Sequence, residues 1–396
     1  MRKIFILCML ALLALSGCYR EPELHLYDWE NERVFDLPIV EISLDSYWDY
    51  DISLGTHYNW RDEWYYGWDK ENEQLLWDDE DRRIFGEFDY EIPMHFFLRR
   101  YYTGSVKYGT RLKKKEAYIT GRTFRAPYDW GFWDILVWND VKTLDGVQSL
   151  HFDEKSSLDE DIIAYTNSTM YSSRYHAPRY QNSFYEPEQL FSVCEKGIEI
   201  DKDLKGFTFV EEENMWIKKL KMYLEPITYI YLPQIILHNN KNRITNVDRV
   251  VGVSASANLS GMAHSTNLNT GIAGKDAVAV NFKMRMKKDM NKDGEKVDII
   301  GGRLLTFGIC GQNANRVSRA DDFDNEHHYI DVQMQFYNGK DSTLVFDVTQ
   351  QVRERYKGGV ITIELDMDTV PIPKRPSSGF NAIVQDEDSV IHVINL

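Results

Sequence analysis

Apolar and polar residues alternate with a period of two through much of the chain. In Ile39-Val40-Glu41-Ile42-Ser43-Leu44-Asp45 one face is apolar and the other polar, and Val360-Ile361-Thr362-Ile363-Glu364-Leu365 repeats the pattern. Phe132 to Trp138 is a short apolar run bounded by Gly131 and Asn139, and Ala277–Phe282 and Val297–Ile300 flank a polar turn. Short β-branched and aromatic runs separated by turn residues predict strands, and their number predicts an all-β sandwich protein. One helix is expected, from Val348 to Lys357. Asp347 is its N-cap, Gln350 reaches back in a capping box, and Val348, Val352 and Tyr356 recur every four residues. Gly358 can then end it in a left-handed conformation.

The first eighteen residues break this pattern. Arg2 and Lys3 precede an unbroken apolar run from Ile4 to Leu15, followed by Leu15-Ser16-Gly17-Cys18. Twelve apolar residues fall short of the ~20 that span a bilayer as a helix. They suit the hydrophobic region of a secretory signal, and the small residues before Cys18 match a bacterial lipobox. The expectation is a signal peptide over residues 1–17, cleavage before Cys18, and acylation of its thiol with diacylglycerol and palmitate-type chains. At about 0.8 kcal/mol per buried methylene, several acyl chains make attachment to the outer membrane effectively permanent. Residues 18–36 read as a tether. Its start, Tyr19-Arg20-Glu21-Pro22-Glu23, suits either a surface-export signal or a plain polar spacer.

Composition then narrows the function classes. The chain has 396 residues, 43% hydrophobic and 27% charged, enough for two domains and too apolar for a disordered protein. Acidic residues outnumber basic ones by 62 − 46 = 16, which argues against a nucleic-acid partner, since phosphate binding needs clustered cations. Nine of ten tryptophans precede residue 140, and only Trp216 lies later. This asymmetry, with the polar stretch Glu211-Glu212-Glu213-Asn214, divides the chain into residues 37–213 and 214–376, followed by a tail, 377–396. Of four cysteines, Cys8 leaves with the signal and Cys18 is acylated. Cys194 and Cys310 remain as buried free thiols or as a pair.

Catalytic motifs are scarce. There is no Gly-x-Ser-x-Gly elbow and no His-Glu-x-x-His helix. Gly271-Ile272-Ala273-Gly274-Lys275 has two residues between its glycines where a phosphate loop needs four. Glu326-His327-His328 would place its histidines on opposite faces of a strand. No enzyme activity and no cofactor are therefore expected. Asp289-Met290-Asn291-Lys292-Asp293-Gly294 matches the first half of a calcium loop, with Asp289, Asn291 and Asp293 as oxygen donors. Its twelfth position is Ile300 rather than Glu, however, and a hairpin turn explains it as well. The run Asp78-Asp79-Glu80-Asp81 reads as a solvated loop, and Arg111-Leu112-Lys113-Lys114-Lys115 as an exposed basic loop. Trp60, Trp64 and Trp68 offer flat rings that could stack on sugars or pack in a core.

Several phrases occur together: Tyr47-Trp48-Asp49-Tyr50-Asp51, Tyr66-Gly67-Trp68-Asp69, residues 134–150, Ser173-Arg174-Tyr175-His176-Ala177-Pro178, Asn258-Leu259-Ser260-Gly261-Met262-Ala263, and residues 297–310. They resemble a family of Bacteroidetes lipoproteins that is similar to the fimbrillin and fimbrial-anchor superfamily, over roughly residues 37–376. The resemblance implies two tandem transthyretin-like β-sandwiches of Greek-key type behind a lipid-anchored N-terminus. It also implies a structural or adhesive role at the cell surface, with other fimbrial subunits as partners and no catalytic residues. The alternative is a surface glycan-binding lipoprotein of a polysaccharide-uptake system. The apolar tail Ser389 to Leu396, set off by Pro371, Pro373 and Pro376, either adds to a partner's sheet edge or pairs within its own domain.

Overall fold

The computed structural model describes residues 37–46, 58–90, 92–141, 148–154, 157–172, 182–312, 325–373 and 391–395. Cys18, the tether, and the phrases at 47–51 and 173–178 lie outside them. Strand makes up 56% and helix 6%, so the all-β expectation holds. Three helices occur among the described residues rather than one: α1 (Trp60–Glu63), α2 (Asp79–Phe85) and α3 (Thr349–Glu354). The expected 348–357 helix is α3, shortened at both ends. Asp347 accepts from the Thr349 N–H at 3.0 Å and its hydroxyl at 2.6 Å, while Gln350 donates to Glu354 instead of reaching back. Val348 and Val352 are buried on one core with Tyr356 packed against it, as the four-residue spacing requires.

The first large sheet orders Lys113–Thr120, His95–Gly104, Gly131–Asn139, Phe191–Ile200, Met215–Pro226, Ile39–Ser46 and Thr123–Pro127, with Thr208–Val210 beside Met215–Pro226. Its two halves join through only two paired positions, Phe191 with Pro226 and Ser192 with Glu225. The halves close over a common core containing Val40, Ile42, Leu98, Ile135 and Met222. Ile39–Ser46 lies parallel to Met215–Pro226 over eight pairs, from Ile39 opposite Ile217 to Ser46 opposite Leu224. Met215–Pro226 therefore lies in the first sheet, and the chain passes to the second sheet between Pro226 and Tyr229.

The second sheet runs Leu304–Thr306, Tyr229–His238, Glu295–Gly302, Ala277–Lys292, Val250–Ala263, Tyr329–Phe336, Asp341–Asp347 and Ile391–Asn395, with Gly359–Asp366 on Tyr229–His238. Ala277–Lys292 is long enough to serve both halves of the sandwich. Its residues 277–283 pair with Val250–Ala263, and its later residues pair with Glu295–Gly302. Tyr229–His238 is buried from Tyr229 through Leu237. Alternate residues face different cores: Ile230, Leu232 and Ile236 the first, Tyr231, Ile235 and Leu237 the second. Pro233 lacks a donor, and the antiparallel ladder is interrupted there, between Tyr231–Leu304 and Gln234–Gly301. A third core, which includes Leu136, Trp138, Ala263, Phe307 and Cys310, fills the space beside the small sheet Leu150–Asp153, Ile163–Thr166 and Ser265–Asn267.

The tail pairs within its own chain. Ile391–Asn395 lies parallel to Asp341–Asp347, Thr343 opposite Ile391 and Asp347 opposite Asn395. Removing residues 391–396 uncovers the edge of Asp341–Asp347 and is expected to lower the melting temperature by a few degrees, in line with the ~2–4 °C per kcal/mol of domains this size. An unchanged melting temperature would show that the strand adds nothing to this fold.

Candidate functional site

The aromatic stretch forms a compact segment, residues 58–90, packed on the face of the second sheet that carries Ile230, Leu232 and Ile236. Trp60 and Trp64 are fully buried. The Trp64 ring stacks on Phe88 with centroids 5.5 Å apart and lies 6.0 Å from Trp77. Trp60 meets Trp64 at 5.7 Å and Trp68 at 5.8 Å. Trp68 is half-buried, and the Arg61 guanidinium sits 4.5 Å from the Trp60 ring and 5.2 Å from the Trp68 ring. A Cβ on Gly67 would lie 2.1 Å from the Trp64 ring, so glycine lets the chain cross that ring. The rings are consumed by packing, each burying about 150–250 Å². Of the two readings of Trp60 and Trp64, core packing is the one their burial fits. Trp216 is the most exposed of the described tryptophans, 42% accessible beside Phe209 at 5.3 Å.

The acidic run at 78–81 is the N-terminus of α2 rather than a solvated loop. The Asp78 carboxylate accepts from the Asp81 N–H at 2.8 Å, and Asp81 accepts from the Asp78 N–H at 3.0 Å, a complete capping box. Asp81 is fully buried. It meets the Lys287 ammonium at 2.5 Å, Arg285 at 2.8 Å and the Tyr66 hydroxyl, which donates at 2.7 Å. Lys287 also donates to the Leu76 carbonyl at 2.7 Å and lies 4.3 Å from the Tyr66 ring. Burial pushes the Lys287 pKa down against the pull of Asp81, and burial and then Asp81 push the Tyr66 hydroxyl up. Burial works against ionised Asp78, but Arg285, the Asp81 N–H and Lys287 together outweigh it and leave its pKa lowered.

The C-terminal end of α2 is held from the same sheet. Arg303 donates at 2.9 Å to the Phe85 carbonyl, one of those a helix end leaves open, and at 2.7 Å to the carbonyls of Glu87 and Phe88 just beyond the helix. Gln234, fully buried, accepts from the Tyr66 N–H at 3.1 Å and donates to the Glu63 carbonyl at 2.6 Å and the Thr362 hydroxyl at 3.0 Å. Gly301 lies so close beneath Tyr66 that a Cβ there would be 2.4 Å from the ring.

The calcium-loop candidates lie on the hairpin between Ala277–Lys292 and Glu295–Gly302. Asp293 and Gly294 have φ of 50° and 90°, the consecutive positive values of a two-residue type I′ turn. The Asp293 carboxylate accepts from the Tyr65 hydroxyl at 2.7 Å and lies 3.6 Å from Lys70. Asn291 accepts from the Gly294 N–H at 2.9 Å and donates to Glu71 at 3.1 Å, and Asp289 sits at a bulge between Lys287 and Met290. The hairpin thus docks on the aromatic segment. Among the described residues no group of three or more His, Cys, Asp or Glu is placed to hold a metal. His328 is buried with Nδ1 3.3 Å from the Ser260 carbonyl oxygen.

Two further titratable groups went unnoticed in the sequence. Glu186 and Glu188 flank Pro187 just before the strand Phe191–Ile200. Glu186 is partly exposed as a residue, but its carboxyl group is enclosed and accepts from the Leu305 N–H at 3.1 Å. Burial raises both, Glu188 from an ordinary 4.5 to about 7 with help from the Glu186 charge. No disulfide joins Cys194 to Cys310, and burial pushes the Cys194 thiol up to about 11.

No family model matches the chain, and no curated protein matches it. Solved structures do. A candidate adhesin from Bacteroides ovatus aligns over 86% of this chain and 94% of its own, at 14% identity and a TM-score of 0.47. A second candidate adhesin, from Bacteroides thetaiotaomicron, aligns over 84% and 93% at 8% identity and 0.42. The fimbrial anchor protein Mfa2 from Porphyromonas gingivalis aligns over 82% and 90% at 8% identity and 0.39.

Replacing Asp81 by Ala strands the Lys287 charge in the interior and is expected to cost about 3–5 kcal/mol in denaturant unfolding. Combining it with Lys287→Met should recover much of that loss. A single-variant cost below about 1 kcal/mol, the size of an exposed pair, would contradict the buried cluster. Glu188 supplies a pH signature. Its folded pKa lies above its unfolded one, so its contribution is fully present below 4.5 and is lost as pH rises through about 7. Glu188→Gln should remove that decline and leave the variant more stable than the parent at pH 8. Parallel pH profiles for the two would contradict it.

Proposed function

We propose that the chain is a lipid-anchored protein of the outer cell surface with a structural or adhesive role, as a fimbrial anchor or fimbrillin-like subunit. The carrying observation is the Leu15-Ser16-Gly17-Cys18 box after a twelve-residue apolar run, set ahead of an all-β body. Acylated Cys18 holds one end in the membrane. The eighteen residues from 19 to 36 can reach about 60 Å when extended, so the body stands clear of the lipid.

The first strand after the tether suits this role. Ile39–Ser46 runs parallel to Met215–Pro226, and the chain leaves Met215–Pro226 directly for the second sheet. A pull on the tether drags Ile39–Ser46 toward its start, while a load on the second sheet drags Met215–Pro226 toward its end. The eight paired positions are then sheared together instead of being opened one by one. Thr123–Pro127 covers the other side of Ile39–Ser46 over five pairs. The glycan-binding alternative draws no support from Trp60 and Trp64, whose rings are enclosed.

Cell fractionation tests the anchor. The parent protein is expected in the detergent-extracted outer membrane and accessible to protease added to intact cells, while Cys18→Ala should appear in the soluble envelope fraction. Cys18→Ala protein that still partitions with the membrane would overturn the reading.

A further inference from the structure

The lysine run of residues 113–115 is an edge strand, not a loop. Lys113–Thr120 is terminal in the first sheet and pairs only with His95–Gly104 among the described residues. The register is unbroken over eight pairs, from His95 opposite Thr120 to Tyr102 opposite Lys113. Gly121 donates its N–H to the Met94 carbonyl at 2.7 Å. Bonded pairs alternate along an antiparallel ladder. Residues 115, 117 and 119 therefore bond inward, and Lys114, Glu116, Tyr118 and Thr120 turn their N–H and C=O groups outward.

A long, regular edge is a template for strand addition unless proline, a bulge or charge blunts it. This one has neither proline nor a bulge, but it has charge. Three lysines share two carboxylates: Lys113 and Lys115 meet Asp129, and Lys114 meets Glu116, which Arg99 also engages. The edge is thus positive on a chain of net charge −16. Like charges placed opposite each other destabilise a ladder, so the lysines reject a second copy of the same edge and accept a strand bearing carboxylates. Beside the open backbone, Met94 and Tyr118 are 47% and 53% exposed and offer apolar contact.

We propose that this edge takes up an extended acidic segment of a partner protein by strand addition. The outward groups of residues 114, 116, 118 and 120 supply the main-chain bonds, and the lysines select an acidic strand over a basic one or a second copy. The inference is independent of acylation at Cys18, and binding is read on the purified full chain in detergent, so failure here leaves the fractionation result untouched. A fluorescein-labelled peptide alternating Glu and Val over eight residues is titrated by anisotropy beside a Lys–Val control. The acidic peptide should bind at least about tenfold more tightly, a difference of about 1.4 kcal/mol, and should slow amide exchange at Glu116, Tyr118 and Thr120. Lys114→Pro removes one outward N–H without touching the inward bonds and should weaken binding about tenfold, by the same 1.4 kcal/mol, at a nearly unchanged melting temperature. Should that variant unfold, Lys114→Glu keeps the backbone donor and should reduce the preference for the acidic peptide. Absence of binding, equal binding of both peptides, or binding without added protection at those amides would overturn the proposal.

Discussion

The structure depends on two neighbouring strands of the second sheet that are buried on both faces. Tyr229–His238 sends alternate residues into two different cores, and Glu295–Gly302 does the same with Val297 and Ile299 on one side and Ile300 on the other. A strand covered on both sides has no face to give to water, so its sequence is a near-continuous apolar run. Such strands need two covers. The rest of the second sandwich supplies one. The other is the segment 58–90 together with the core of the first sandwich, which joins Val40 and Ile42 to Ile230 and Ile236 in one contiguous cluster. The two sandwiches are therefore welded through a shared hydrophobic layer rather than strung on a flexible joint.

Hydrophobic burial is non-directional, so a slab of tryptophans could settle on that sheet in many ways. Polar contacts choose one. Arg285 and Lys287 fix the start of α2, Arg303 fixes its end, and Gln234 fixes the chain at Glu63 and Tyr66. Each of these groups would be costly to bury alone. They fit only in the register that pairs them all, which gives the buried charges a positioning role.

The all-β class and the strands themselves were legible because period-two alternation survives wherever one face meets water. The helix near 348–357 was legible from its four-residue spacing, although Gln350 turned to Glu354 instead of the cap. The acidic run at 78–81 misled because charge suggests solvent. The informative sign was Asp at both the cap position and three residues later. Its partners, Arg285 and Lys287, lie about two hundred residues away at an ordinary strand spacing that carries no local mark. The same long-range pairing decided the fate of the tryptophans. A platform and a plug have the same composition, and only the sheet found beneath Trp60 and Trp64 distinguishes them. The 113–115 lysines read as a loop because three adjacent charges mask the alternation that Ala117 and Ile119 continue.

The shared strands couple the two cores, so neither is expected to unfold alone. Differential scanning calorimetry of the intact chain tests the shared strands most directly. If both cores depend on them, the chain melts in a single transition, with calorimetric and van't Hoff enthalpies in agreement. Two resolved transitions, each with the enthalpy of one sandwich, would contradict the account.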